Sequence, residues 1–302
     1  MNFLVNTNAY ILMLISLSGF LSGEMTKCEY SRKIATSQDS VYKFTAYVGL
    51  ICSALIWCAT GFSIKLSLFT LLTSVMFGFA VMGQITASAF AMKIGPWAYT
   101  SVMMSLSTII PALSGVLFWD EDLTVNIVLG LILMVICFVL SVKTDDDDAE
   151  KKKSNLKWFL LSLIASLSTG AIGILQKAHQ SSNYKQELPL FLVISFGVAS
   201  VFSFIMTYIT RPKNNNVEPK NKIFSNKALV LFLVAGLGTA FNHAFNLYLS
   251  GAMESAVFFP IMSGGELILV TLSSVIVFKE KLSYKQWIGL VCGIAAVIIL
   301  CF

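Results

Sequence analysis

Charge is what this 302-residue sequence has least of. Asp, Glu, Lys and Arg make up 12% of it, about half the usual share in a soluble domain. Histidine is scarcer still, with His179 and His243 the only two. Without an HExxH or GxSxG pattern they supply neither a zinc site nor a nucleophile–base pair, so no catalytic residue is expected and the chain reads as a non-enzyme. The six cysteines are scattered, with no CxxC and no Cys/His spacing that suits a metal, so neither metal nor cofactor is expected. No GxxxxGKS or GxxxxGKT run is present, which removes ATP drive from within this chain. The net charge of +5 is spread between apolar stretches rather than along one face, which argues against a nucleic-acid partner. No basic stretch precedes the first apolar run and no good cleavage site follows it, so that run is expected to be retained as a span.

What the sequence has in abundance is apolar length. Hydrophobic residues are 56% of the chain and mean hydropathy is +0.78, so the expected partner is a lipid bilayer and the expected fold is all-α and integral to the membrane. Ten runs are of bilayer length: residues 9–27, 44–63, 68–92, 97–119 and 124–142, then 156–178, 188–208, 228–250, 255–278 and 284–301. Residues 145–155, with four aspartates followed by three lysines, form a solvated linker between two blocks of five, 1–144 and 156–302. The Asn- and Lys-rich stretch 211–227 is the other long loop. Of the 21 Lys and Arg residues, only Lys65, Lys177 and Lys185 fall on the side of the N-terminus; the other 18 fall opposite. Basic residues collect on the cytoplasmic side, so both termini are expected outside.

The two blocks repeat one another. Ser16, Gly23 and Lys27 match Ser166, Gly173 and Lys177 at an offset of 150. Asp120-Glu121-Asp122-Leu123 matches Lys279-Glu280-Lys281-Leu282, and Gly130 matches Gly289, both at an offset of 159. Five spans per copy place the copies in opposite orientations, so the predicted architecture is ten transmembrane helices as two inverted five-helix repeats.

A few polar residues interrupt the spans. Glu266 lies 11 residues after Ser255, ~17 Å deep along a helix and close to the midplane. A carboxylate there costs at least ~2.5 kcal/mol and is normally kept for a partner or a polar cavity, which makes it the first candidate for substrate contact or ion coupling. Ser263 and Gly264 stand beside it, and the Gly264-Gly265 pair is expected to leave room for ligand or water. His243, Asn242 and Asn246 lie on the preceding span, joined to that of Glu266 by a short turn, and are expected to reach toward it. Glu24 and Gln84 are further candidates, although Glu24 also stands at i, i+3 from Lys27, where a surface pair is the plainer expectation. Trp97 and Tyr99 read as an interfacial aromatic belt. Pro111 and Pro260 remove a backbone donor and are candidate hinges.

These blocks resemble the two-repeat EamA-type members of the drug/metabolite transporter superfamily. The likeness rests on a proline-bearing span, the acidic clamp at 120–123 and its copy at 279–282, and a glycine-entered span after each, with Lys27 and Lys177 as the basic residues of the first span of each copy. The tail from Phe258 to Leu300 is also distantly similar to the single-repeat small multidrug resistance proteins, with Met262-Ser263-Gly264 where those have Trp-Ser-Gly. The membrane glutamate of that group would fall at Gly19 or Thr169, so its cation exchange is not carried over. The resemblance implies a secondary transporter of the bacterial cytoplasmic membrane. It would move a small organic metabolite, such as an amino acid or nucleobase, by alternating access coupled to a proton or cation. Efflux of hydrophobic cations by proton exchange at Glu266 is the alternative, and a membrane receptor or scaffold is the reading outside transport.

Overall fold

The computed structural model describes residues 2–35, 37–60, 66–95, 97–122, 124–141, 149–211, 225–279 and 284–300. Among them every regular element is helical. The first five rods are α1 (Asn2–Lys33), α2 (Gln38–Thr60), α3 (Leu68–Ile94), the pair α4 (Trp97–Ser105) and α5 (Ile109–Phe118), and α6 (Val125–Ser141). The second five are α7 (Ala149–Gln180), α8 (Leu188–Ile209), α9 (Asn226–Ala252), α10 (Ser255–Ile276) and α11 (Tyr284–Leu300). Eight of these rods are long and apolar enough to cross a membrane, α4 and α5 counting as one. The other two expected spans, α6 and α11, are helices of 17 residues, or ~26 Å of rise. The expected linker is shorter than its sequence limits, because Ala149 already begins α7. Residues 145–148, most of the 211–227 loop, Leu123 and the clamp residues Glu280, Lys281 and Leu282 lie outside the described residues.

Backbone geometry carries the repeat in three places. α3 and α9 are both 27 residues long, and each starts at a serine whose hydroxyl accepts a hydrogen bond from the third residue on: Ser67 from the Thr70 amide, Ser225 from the Ala228 amide. This is N-capping of otherwise orphaned donors. The left-handed backbone of two clamp residues is the third sign. Asp120 (φ 51°) and Lys279 (φ 54°) are the non-glycine residues with positive φ among those described, and they stand 159 apart, as the clamp register requires. A side chain at such φ is disfavoured by ~1 kcal/mol or more, so the shared conformation marks a shared turn.

The helices pack in a pattern that is largely unchanged when each rod is exchanged for its counterpart five places on. α1 lies on α9 and α3 on α7; α2 lies on α8 and α6 on α11; α10 crosses both α4 and α5. With lipid outside, apolar burial alone does not hold helices together, and small residues that let backbones approach do that work. Gly19 is one of them: a Cβ there would meet the Gly238 carbonyl at 2.7 Å, and a Cβ on Gly238 would meet the Gly19 carbonyl at 2.5 Å. The Gly19/Gly23 face therefore packs inside the chain on α9. Gly49 and Gly78 play the same part against α8.

Polar contacts between connections sort them onto two sides. Glu187, after α7, accepts from the Ser67 amide at 3.0 Å, and Glu121, after α5, pairs with Lys177 near the end of α7. On the other side Glu29 of α1 pairs with Lys227 of α9 at 2.9 Å, and Arg32 donates to the carbonyls of Met92 and Gly95 after α3. The connections alternate as an up-and-down chain requires.

Candidate functional site

One cavity runs between the two halves, lined by α1, α2, α3, the α4–α5 rod, α7, α9 and α10. Its volume is about 120 Å³, room for a small metabolite or several waters. Of the site residues expected from sequence, Glu24, Gln84, Asn242, His243, Asn246, Ser263, Glu266 and the hinge candidate Pro111 all line it. Gly264 is buried behind the wall and Pro260 is buried away from it.

The charged end is built by one face of α1 and the inner half of α10. Phe20, Gly23, Glu24 and Lys27 follow a helical stripe (i, i+3, i+4, i+7), as do Phe259, Met262, Ser263 and Glu266. Lys27 Nζ donates to Glu24 Oε1 at 2.5 Å, with both side chains more than 90% buried. The surface pair expected at this spacing is thus a buried one, because the adjoining face of α1 packs on α9 through Gly19 and Gly23. Glu24 Oε2 has no hydrogen-bond partner. Glu266 lines the same cavity from α10.

The uncharged end is built by α9, α7 and the first turns of α10. Asn242 and Asn246, four apart on α9, clasp Ser16 of α1. Asn242 Nδ2 donates to the Ser16 carbonyl at 3.2 Å, and the Ser16 hydroxyl donates to Asn246 Oδ1 at 2.8 Å. They line the cavity and tie two helices together at once. His243 sets its ring edge-on to Phe77 and Phe196, and its Nδ1 is buried without a partner. No hydrogen bond joins it or Asn246 to Glu266; the cavity brings them together without direct contact. Phe258, Phe259 and Gln176 complete this end.

Three expectations are corrected. The space beside Gly265 is filled by Leu17, 3.0 Å from where a Cβ would stand, and is not open to ligand. Trp97 is not an interfacial belt residue: it is fully buried with Cys28, Met92 and Val270 and packs edge-on against Phe278, because α4 turns its first residue inward. The side chain of Tyr99 lies outside the described residues. The two prolines do not occupy equivalent positions or local settings. A 3₁₀ turn at Leu106–Thr108 separates α4 from α5 just before Pro111, whereas α10 runs unbroken through Pro260. They stand 149 apart, not 159. The counterpart of Glu266 in the clamp register is Ser107, and it too lines the cavity.

Sequence reasoning passed over Lys27 as a cavity residue, along with Gln176 and the hydroxyls Ser101, Ser105, Thr108, Thr169 and Thr239. The signal was there: Ser101, Ser105 and Thr108 form an i, i+4, i+7 polar stripe in an apolar span.

Beyond the uncharged end the halves are stapled. Lys177 pairs with Glu121 at 2.7 Å and donates to the Met253 carbonyl at 3.0 Å, while Glu121 Oε2 accepts from the Ala256 amide at 3.2 Å. Burial on its own would raise the Glu121 carboxyl, but Lys177 and the backbone of Ser255 and Ala256 hold it below the ordinary carboxylate value. Lys177 is the repeat counterpart of Lys27, yet the two have opposite uses: one binds the halves together, the other faces the cavity.

With eight membrane-length apolar helices among the described residues, this is an integral membrane protein, and a cavity lined by polar residues lies between its halves. Residues 156–302 match the EamA-like transporter family, and membership of the drug/metabolite transporter superfamily is consistent with that match. An uncharacterized protein of Haemophilus influenzae is 25% identical over 227 residues, covering 72% of this chain and 73% of that one. A solved structure titled only as the crystal structure of a protein superposes with a TM-score of 0.63, over 97% of this chain and 96% of its own. At 13% identity this similarity shows a common fold.

Proposed function

We propose that this chain is a secondary transporter that carries a small polar organic metabolite through the central cavity by alternating access, with Glu266 as the coupling acid. The observation that carries this reading is the cavity itself. Both halves line it, and it gathers Glu24, Lys27, Gln84, Gln176, Asn242, His243, Asn246 and Glu266 together with several hydroxyls from otherwise apolar spans. A membrane carboxylate without a dedicated cation suits a group that exchanges its proton for substrate or ion. The two halves would act as inverted five-helix repeats, 1–144 and 156–302, rocking about the shared site. The 3₁₀ break before Pro111 is a natural place for the first half to bend. Efflux of hydrophobic cations is the second reading; Lys27 already neutralises Glu24 in the same cavity, which leaves Glu266 alone to meet a cation.

Reconstitution into liposomes tests this. Uptake or counterflow of a solute that the purified protein binds should depend on protein and respond to an imposed proton or cation gradient. A bound solute that never crosses would leave a membrane receptor in place of a transporter.

A further inference from the structure

The charged end of the cavity holds more hydrogen-bonding capacity than the protein uses. Glu24 Oε1 is taken by Lys27, but Glu24 Oε2 is buried without any partner. Lys27 carries three donors, and Glu24 Oε1 is its one hydrogen-bond acceptor among the described residues. Glu24 is 6% exposed and Lys27 2%, so bulk water does not make good the difference. A buried carboxylate oxygen and a buried ammonium left part-satisfied are costly, and native structures keep few of them. Here the two stand side by side on one turn of α1, facing the same cavity.

We infer that the Glu24–Lys27 pair is a bipartite clamp for a solute of no net charge that presents a hydrogen-bond donor and an acceptor next to one another. The donor meets Glu24 Oε2 and the acceptor meets Lys27 Nζ. Because the pair is itself neutral, it favours a ligand with both groups over one with a lone charge of either sign. Two chemistries have such an edge: the ammonium and carboxylate of an α-amino acid zwitterion, and the adjoining N–H and C=O of a lactam. The apolar wall of Phe20, Phe44, Met104 and Ile172 then receives the rest of the molecule. This deepens the transporter reading only in taking the cavity as the ligand site; Glu266 keeps the coupling role and the α1 pair takes recognition.

The test is a thermal-shift and binding series on the full-length purified protein with four probes. Leucine carries both groups, 3-methylbutylamine its ammonium alone, 4-methylpentanoate its carboxylate alone, and uracil the uncharged lactam edge. Leucine or uracil should raise the melting temperature and bind at least tenfold more tightly than either single-group analogue. Binding of leucine alone identifies the zwitterion as the source, and binding of uracil alone the lactam. Glu24→Gln and Lys27→Met should each weaken that binding at least tenfold, whereas Glu266→Gln should bind with its pH dependence altered. If a single variant fails to fold, the Glu24→Gln/Lys27→Met double variant, which buries no charge at this spot, replaces it with the same expectation. The inference is overturned if an analogue with one group binds as well as leucine or uracil, if none of the four binds, or if the pair variants bind as wild type does. Liposome transport separates the two readings. Binding that survives loss of the pair, with transport intact, removes the clamp and leaves the transporter. Pair-dependent binding without transport does the reverse.

Discussion

Lys177 of α7 and Glu121 of the turn after α5 close an ion pair of 2.7 Å across the two halves of the chain, and the repeat counterpart of Lys177, Lys27, makes no such bond. Lys27 pairs with Glu24, three residues away on its own helix, and faces the cavity, while Arg32, further along α1, caps the carbonyls of Met92 and Gly95. In the second half Lys177 itself donates to the corresponding carbonyl, that of Met253. Two residues of α1 thus divide what one residue of α7 does alone. That division is what frees a lysine for the cavity.

The staple is expected to contribute to stability in a pH-dependent way. Glu121→Gln leaves Lys177 without its counter-charge and should cost about 3 kcal/mol, as for other buried pairs that lose one member. The Glu121 carboxyl is held below its ordinary value of 4.5, so its contribution is fully present above that pH and is lost as pH falls through the lowered folded value. Melting temperatures of wild type and variant in detergent should differ by a constant amount from neutral pH to about 5.5 and converge below the ordinary carboxylate range. A gap that persists unchanged in acid would remove the ion pair as its cause.

Glu266→Gln keeps the shape and hydrogen-bonding capacity of the side chain but does not ionise. The variant should insert and melt within about 1 kcal/mol of wild type yet lose uphill transport while retaining exchange. Transport at the wild-type rate, with the same response to pH, would show Glu266 to be structural.

Gly238→Ala should drive α1 and α9 apart. The added Cβ runs into the Ser22 hydroxyl and falls 2.5 Å from the Gly19 carbonyl. A hydroxyl can rotate away; a backbone carbonyl moves only with its helix. Overpacking of this kind costs about 1–3 kcal/mol. Gly197→Ala, where the nearest side-chain atom lies 3.9 Å away, is the matched control and should melt near wild type. Equal melting of the two variants would mean that the α1–α9 crossing tolerates separation.

Orientation is testable by labelling. Single cysteines at Asp146 and Asn215, on a cysteine-free background, should resist a membrane-impermeant thiol reagent in intact cells, because both positions are expected in the cytoplasm. Rapid labelling from outside would reverse the topology and place both termini inside.

How much of this was legible beforehand differs from element to element. Helix limits were close: residues 68–92 appear as Leu68–Ile94 and 188–208 as Leu188–Ile209. An apolar run in lipid has to satisfy its backbone internally, and a helix is the one local way to do so. The clamp register was legible too and reappears in the left-handed Asp120 and Lys279. Polar residues inside spans were recognised one by one as costly in lipid, which is why Glu266, Gln84 and His243 were candidates at all. What stayed hidden was their partners. Glu24–Lys27 looks the same in sequence whether it faces solvent or a sealed cavity, and Gly265 looks the same whether its space is filled by Leu17 or by ligand.

The sequence by itself therefore determined that the chain is helical, that it lies in a membrane, and where most helices begin and end. Those properties follow from hydropathy, helical rise and caps, which act within a few turns of one segment. Only the tertiary structure decided which polar residues share one cavity, that Trp97 is core, that Asn242 and Asn246 hold Ser16, and that Lys177 joins the halves while Lys27 does not. These depend on how each helix is rotated about its axis. In lipid that rotation is set by close contacts such as Gly19 on Gly238, between residues more than two hundred positions apart.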